Sequence, residues 1–462
     1  MKILSKPSKI EVLLVHPLPD YTIPGRYTTT PLGLCCLAGY LENKGISTEI
    51  LDMQIYSHPY KLLVQILSQR RPRIVGVPSY SPNLHIAYEI VRRIKQLDSK
   101  IITVVGGPQA SALPEETMYN CKDIDYLIYG EGEVTLYELA YNLIHDKDVK
   151  EIKGTAMRID NRLRINPPRK LIQDIDSLPF PAREKLDLKR YRPGPVQCLR
   201  FPTTAMFTTR GCPFKCTFCS SHLIWGDSVR MMSTERVFQE VVHCMEKHGI
   251  RDFYFVDDTF TLSRSRIVQL CNLFINNRLD ISWSCFSRVD TVDYELLCLM
   301  KEAGCFRIQY GVEAGTESSL KTICKGTSLQ QAEDAILWTK KAGIEILTDF
   351  MLGLPGETIE DMKKTIAFAK KLNPDWALFR RCYPLPGSKM FDGLKDNARP
   401  LSTYGWANLL RRAYISFYFS LPWIWQEIRK IFKSPRREIE ILWNAIPIFL
   451  KRVKVIFSEM TD

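Results

Sequence analysis

The 462-residue sequence predicts an α/β protein built from two alternating blocks and a helical C-terminal region. Three observations lead there. Short apolar runs alternate with helical patterns over residues 10–150, the same alternation returns over residues 200–390, and the last 67 residues turn aromatic and basic. Strands alternating with helices build a parallel sheet covered by helices. The first block therefore reads as a doubly wound sheet. The second has six βα-type units and reads as a partial (β/α)6 barrel, with its functional groups at the carboxyl ends of the strands.

Composition is that of a globular chain, 45% hydrophobic and 25% charged, long enough for two or three domains. The net charge of +12 is uneven. Residues 1–150 balance sixteen basic against sixteen acidic groups, residues 151–395 carry +7, and the last 67 carry +5. The first block thus lacks the basic stripe of a nucleic-acid binder, and the excess points to an anionic substrate or a membrane surface. The opening residues lack the apolar core of a signal peptide, and no run reaches the roughly 18 apolar residues of a membrane span. Of fourteen cysteines only three stand at ligand spacing, which predicts a reducing, cytoplasmic setting.

Taken in order, Ile10 to Pro17 reads as a buried strand and Leu34 to Lys44 as a helix closed by Gly45. Strands follow at Thr48–Asp52, Ile74–Val77, Ile101–Gly106 and Tyr126–Tyr129, with a helix between at Leu84, Ile86 and Ile90 and another from Val134. Ligands of such sheets bind beyond the strands' carboxyl ends. Those ends carry His16-Pro17, Ser79-Tyr80, Gly106-Gly107-Pro108 and Gly130-Glu131-Gly132-Glu133. Residues 151–197 read as a small β-rich linker, with Leu178-Pro179-Phe180-Pro181 held extended by its prolines.

The second block opens on Arg210-Gly211-Cys212-Pro213-Phe214-Lys215-Cys216-Thr217-Phe218-Cys219. Thiolates at C-x3-C-x2-C spacing are soft ligands for an iron–sulfur cluster or zinc. Zinc asks for a fourth protein ligand; no second Cys pair follows, and His222 is the nearest candidate. Later strands end at Asp257-Asp258, Arg288, Glu313, Gly353-Leu354-Pro355-Gly356 and Tyr383-Pro384. The paired acids suit function better than structure because like charges repel, although one of them can cap a helix.

The cysteine loop resembles that of the radical S-adenosylmethionine (SAM) enzymes, in which an aromatic precedes the last cysteine as Phe218 does. The resemblance implies that Cys212, Cys216 and Cys219 ligate a [4Fe–4S] cluster and that SAM chelates its open iron. A one-electron donor such as flavodoxin or ferredoxin then triggers cleavage to a 5′-deoxyadenosyl radical. In that family Asp257 and Asp258 occupy the place that accepts hydrogen bonds from the SAM amino group. Arg288 and Glu313 stand where the SAM carboxylate or ribose is met, unless they pair with each other. Gly353 and Gly356 correspond to backbone lying along the adenine, though a plain turn also uses Pro-Gly.

Pro31-Leu32-Gly33-Leu34, Val104 to Pro108, Gly130 to Glu133 and Tyr383 to Ser388 are similar to phrases of the cobalamin-binding branch of this family. This implies a Rossmann-like cobalamin-binding domain over 1–150, with Ser79, Tyr80, Gly106, Gly107, Gly130, Glu131 and Gly132 at the corrin. A linker over 151–197, a radical SAM barrel over 198–395 and a helical region over 396–462 follow. Asp-x-His-x-x-Gly, the motif of the usual histidine ligand to cobalt, is absent; His16 either approaches the corrin or is satisfied within its loop.

The branch contains cobalamin-dependent methyltransferases and the anaerobic magnesium-protoporphyrin IX monomethyl ester oxidative cyclase. The implied reaction modifies an unactivated carbon of a small molecule, foremost by methyl transfer, with radical oxidation or cyclisation as the alternative. No side chain is assigned as acid, base or nucleophile. The complete cysteine triad argues against a non-catalytic sensor. A tRNA methylthiolase would carry a second cluster domain with its own cysteine spacing, which Cys35, Cys36, Cys121 and Cys198 lack.

The tail adds a charge-free aromatic stretch, Ala413 to Gln426, then Arg429, Lys430, Lys433, Arg436 and Arg437, and a mostly apolar run from Ile439 to Leu450. It reads as a helical cap over the barrel mouth. Aromatics beside Lys and Arg also suit a peripheral membrane contact and a lipid or large apolar substrate.

Overall fold

The computed structural model describes residues 9–18, 28–194, 197–393 and 403–433. Seven strands form the first sheet: β1 (Val12–His16), β2 (Thr48–Asp52), β3 (Ile74–Pro78), β4 (Ile102–Gly106), β5 (Tyr126–Ile128), β6 (Thr155–Ile159) and β7 (Arg162–Ile165), in the order β2-β1-β3-β4-β5-β6-β7. β1 to β5 are parallel, and β6 and β7 add antiparallel at one side. The strands expected within the linker thus extend the first sheet. Alternate residues enter two cores, Leu13, Val15 and Val75 on one face and Val12, Leu14 and Ile74 on the other. Burial on both faces is why these strands read as nearly unbroken apolar runs. The strand order reverses between β1 and β3, the switch point at which open α/β sheets bind ligands.

After β8 (Thr203–Met206), a short antiparallel pair forms from β9 (Thr209–Arg210) and β10 (Arg230–Met231). β11 (Asp252–Phe255), β12 (Ser282–Ser287), β13 (Cys305–Glu313), β14 (Glu345–Leu352) and β15 (Trp376–Arg381) then join β8 in a six-stranded parallel sheet. Its strands lie in chain order, as in a partial barrel. Phe253, Phe255, Trp283, Ile308, Tyr310 and Phe350 pack into the large core of this half. Tyr254, Gln309 and Asp349, on the opposite parity, stay half-buried: Tyr254 Oη donates to Gln309 Oε1 at 3.3 Å and Gln309 donates to Asp349, which the exposed Arg380 approaches at 3.4 Å. One face of the sheet is therefore packed solid and the other is lined for polar contact.

Among the described strands, β15 is an edge strand that pairs with β14 alone. The helices Thr403–Tyr418 and Leu421–Lys433 cover its open side. Tyr418 Oη accepts from Ala377 N at 3.1 Å and donates to Ala377 O at 3.0 Å, and Tyr414 Oη treats Phe379 the same way at 3.2 and 3.0 Å. Two phenols thereby replace part of a missing strand's hydrogen bonding. Phe417 and Trp423 are buried beside them, and Trp423 Nε1 donates to Asp375 O at 2.9 Å. The aromatic stretch, expected to cap the barrel mouth, runs along the open edge instead. No described helix is long and apolar enough to cross a membrane. Arg436, Arg437 and the run from Ile439 to Leu450 lie outside the described residues.

Replacing both tyrosines by phenylalanine keeps the rings and strands the edge groups of Ala377 and Phe379. At about 0.5–1.5 kcal/mol net for each of the four hydrogen bonds, the Tyr414→Phe/Tyr418→Phe protein is expected to lose about 2–6 kcal/mol in urea unfolding. A stability unchanged from wild type would show that water serves this edge equally well.

Candidate cluster and cofactor site

The cysteine loop leaves β9 through Gly211, whose φ is +94° and whose ideal Cβ would stand 2.3 Å from Ser228 O, so the turn admits only glycine. Thr217 N donates to Ile323 O at 3.0 Å and accepts, through its own carbonyl, from Met390 N at 2.9 Å. Phe218 packs against a buried cluster that includes Ala314, Leu320, Ile323 and Leu354. These contacts fix the loop by its backbone and leave Cys212, Cys216 and Cys219 as free, half-buried thiols.

Burial pushes the Cys212 thiol up, and burial aided by Asp258, Cys216 and Cys212 pushes Cys219 up to about 11. Ser221 N donates to Cys219 Sγ at 3.5 Å. Three crowded thiols beside an acid invite a cation, and a bound metal deprotonates them outright. Among the described residues no three His, Cys, Asp or Glu side chains converge on a single-ion position. A cluster makes a different demand, because each thiolate bonds its own iron. The donor set thus fits an iron–sulfur cluster, and His222 is exposed rather than turned in as a fourth ligand.

The two acids at the end of β11 divide. Asp257 is fully buried and accepts from Thr208 N and Oγ1 and from Thr209 N and Oγ1. Burial pushes its carboxyl up, while these donors and the nearby Arg266 pull it back. It clamps the β8–β9 turn beneath the cysteines and has no oxygen left for a ligand. Asp258 is exposed on the cysteine side and accepts from Ser221 Oγ at 2.5 Å. Of the acid pair read from the sequence, only Asp258 faces the site.

Arg288 and Glu313 are not paired with each other. Arg288 is held bidentately by Asp290 at 2.9 Å and donates to Lys325 O at 2.7 Å, and its Nη1 is 3.9 Å from Cys216 Sγ. Glu313, buried and at φ +71°, accepts from Lys325 Nζ at 2.9 Å. A left-handed φ on a non-glycine residue costs energy and clusters at functional sites. At the end of β14, Glu357 accepts from Gly353 N and Leu354 N at 2.8 and 2.9 Å and fixes the glycine turn. One side of Gly353 is covered by Trp406, whose ring would lie 2.0 Å from an added Cβ, whereas Gly356 opens onto free space.

In the first sheet Ser79 is wholly buried and ties the end of β3 to β4 through Gly106 O. It is a strut, as is Gly107, packed on the Ser79 backbone. Tyr80 is exposed at the crevice, Gly130 has open space beside it, Gly106 has Ile128 as its neighbour, and Gly132 sits against Leu37. Exposed Tyr80 and open Gly130 fit a large flat ligand lying across the strand ends. His16 is satisfied within its own sheet by Gln54 and by Asp52, which Tyr191 also bonds at 2.8 Å.

Glu131, read from the sequence as a corrin contact, is turned toward the second domain. It accepts from Arg210 Nη1 and Arg230 Nη1, each at 2.8 Å, and from Ile172 N at 2.7 Å, while Glu133 takes the other end of Arg210. All four side chains are buried. Sequence reasoning missed Glu133, Arg210 and Arg230 as parts of this assembly, and Lys325 and Asp290 as the partners of Glu313 and Arg288. Glu133 and Arg210 stood inside quoted motifs and Asp290 stands two residues from its partner Arg288; Arg230 and Lys325 carried no local signal, because their partners lie farther along the chain.

Comparison with known proteins agrees with this geometry. Residues 206–369 match the radical SAM superfamily, and residues 21–140 match the B12 binding domain. An uncharacterized methyltransferase of Pyrococcus horikoshii is 34% identical over 432 residues, 88% of this chain and 92% of that protein. The anaerobic magnesium-protoporphyrin IX monomethyl ester cyclase of Rubrivivax gelatinosus is 27% identical over 84% of this chain and 70% of its own. The solved structure of the radical SAM methyltransferase TsrM from Kitasatospora setae, with cobalamin and a [4Fe–4S] cluster bound, superposes with a TM-score of 0.67 at 21% identity. That match covers 83% of this chain and 74% of that one, a likeness of fold. The chain belongs to the radical SAM superfamily, in its cobalamin-binding branch. It is an enzyme whose cofactors are a [4Fe–4S] cluster, SAM and cobalamin.

The division of the acid pair is testable. Asp257→Asn is expected to lower thermal stability, because it replaces an acceptor-only group with a donor facing four donors. Asp258→Asn is expected to leave the melting temperature unchanged and to weaken SAM binding by about tenfold in calorimetry. Equal effects of the two variants on both measurements would contradict the division.

Proposed function

We propose that this enzyme transfers a methyl group to an unactivated carbon of a small, largely apolar molecule. The observation that carries this reading is the buried seam of Glu131 and Glu133 with Arg210 and Arg230, which joins the strand ends of the first sheet directly to the cysteine loop. A corrin over the first sheet and a cluster on Cys212, Cys216 and Cys219 would then share one cleft. When bound, the cluster supplies the electron that splits SAM into a hydrogen-abstracting radical, and the cobalamin supplies a methyl carrier. Similarity to a methyltransferase along nearly its whole length supports methyl transfer over the cyclase alternative.

In this reading Asp258 accepts from the SAM amino group, and Gly353 and Gly356 offer backbone to the adenine. Glu313, poised by Lys325, meets the ribose. Tyr80, Gly106, Gly130 and Gly132 border the corrin. The polar row of Tyr254, Gln309 and Asp349 orients substrate in the barrel, and a reduced flavodoxin or ferredoxin supplies the electron. With cluster and cobalamin reconstituted anaerobically, methyl-labelled SAM and reductant are expected to yield both 5′-deoxyadenosine and S-adenosylhomocysteine, with label in the corrinoid fraction. Deoxyadenosine with the label recovered only in methionine, and none in the corrinoid fraction, would favour the cyclase-type reaction. No cleavage by a fully loaded enzyme, equal to Cys216→Ala, would overturn the catalytic reading.

The C-terminal helices favour a lipid-side partner. On Leu421–Lys433 the buried face carries Trp423, while Leu421, Trp425 and Phe432 are 72, 60 and 84% exposed, with Phe419 and Arg429 alongside. Exposed aromatics next to a cation suit the headgroup region of an anionic bilayer. The enzyme is expected to float with anionic liposomes, and the Trp425→Ser/Phe432→Ser variant to stay behind at unchanged melting temperature. Equal flotation of both proteins, or none by either, would refute the contact.

A further inference from the structure

We infer that Arg288 tunes the reduction potential of the cluster rather than gripping the SAM carboxylate. The inference rests on the cluster being held by Cys212, Cys216 and Cys219. Arg288 follows β12 directly and is buried. Its donors are committed: Nε and Nη2 to the two oxygens of Asp290, and Nη2 also to Lys325 O. A bidentate carboxylate fixes the guanidinium plane. The flat face lies 3.5 Å from the ring centroid of Phe214, an aromatic inside the cysteine loop itself. What remains is Nη1, and it stands 3.9 Å from Cys216 Sγ. To grip another carboxylate with both prongs of its fork, Arg288 would have to give up a bond to Asp290, because only Nη1 is uncommitted.

Hydrogen bonds to the ligand sulfurs and the local net charge are among the determinants of a cluster's potential. The reduced cluster carries one more negative charge than the oxidised one. A fixed guanidinium beside a ligand sulfur favours the reduced form and raises the potential. Asp290 acts oppositely, and it also holds the cation in place. The two residues therefore have opposite electrostatic signs on one rigid assembly, whereas a purely packing role would give both the same sign.

The test is a redox titration of the reconstituted cluster followed by electron paramagnetic resonance, without SAM, in protein matched for iron and sulfide content. Arg288→Gln is expected to lower the equilibrium constant for reduction by about tenfold, a shift of about 59 mV toward more negative potential for a one-electron couple. Arg288→Lys, which keeps the charge without the fork, is expected to fall between. Asp290→Asn is expected to move the potential upward. If Arg288→Gln fails to hold iron, the Lys and Asn variants carry the comparison. An unchanged potential in Arg288→Gln with SAM affinity lost would return the residue to the SAM carboxylate. Negative shifts in both Arg288→Lys and Asp290→Asn would reduce its role to packing. A wild type that assembles no cluster would fault the underlying cofactor assignment instead.

Discussion

The architecture depends on one buried ionic assembly. Glu131 and Glu133 leave the end of β5, and Arg210 and Arg230 come from the short β9–β10 pair that introduces the cysteines. Burying four charges is costly, and the cost is recovered only while every partner is in place. Removing one member would strand another in a dry environment at about 3–5 kcal/mol. Arg210 also lies over the Trp225 ring at 4.8 Å and is followed at once by Gly211 and Cys212. The cysteine loop is thus positioned by the other domain as much as by its own barrel.

A second clamp works from the segment between the sheets. Arg183 is buried against the barrel, bonding Thr204 Oγ1 and Ala205 O at 3.0 Å and Glu240 at 2.8 Å. Its neighbour Ala182 donates to Cys35 O in the first domain at 2.9 Å. Thr28 and Thr30 reach across to Arg192 and Thr204. Two halves that share one reaction volume must keep a fixed separation. Here charge pairing at one place and an extended proline-rich strap at another hold it.

The sequence made the periodic parts plain. Strand runs such as Val12–Val15 are apolar because both faces of a parallel sheet are buried, and Cys212, Cys216 and Cys219 could be read because metal ligation needs close spacing. Long-range polar pairing was far less legible. Asp257 and Asp258 are adjacent and chemically identical, yet in the loop that follows β11 one is a buried clamp on the Thr208–Thr209 turn and the other faces the thiols. Glu131 lies in a glycine-rich loop that looks ligand-facing, and only the fold shows two arginines arriving from some eighty and a hundred residues away. The phenols of Tyr414 and Tyr418 look like apolar packing in sequence, although their hydroxyls serve β15.

That last feature changes what a shortened protein would be. A sheet that stops at six strands ends in unpaired backbone groups, and such edges recruit other chains. The two phenols, the helix that bears them and the helix after it act as a detachable hem. Cutting the chain before residue 403 would therefore convert the barrel rim into a template for self-association. A loss of lipid affinity or turnover in such a fragment would then report oligomerisation as much as the missing helices, whereas point changes on the outward face of Leu421–Lys433 leave the hem sewn.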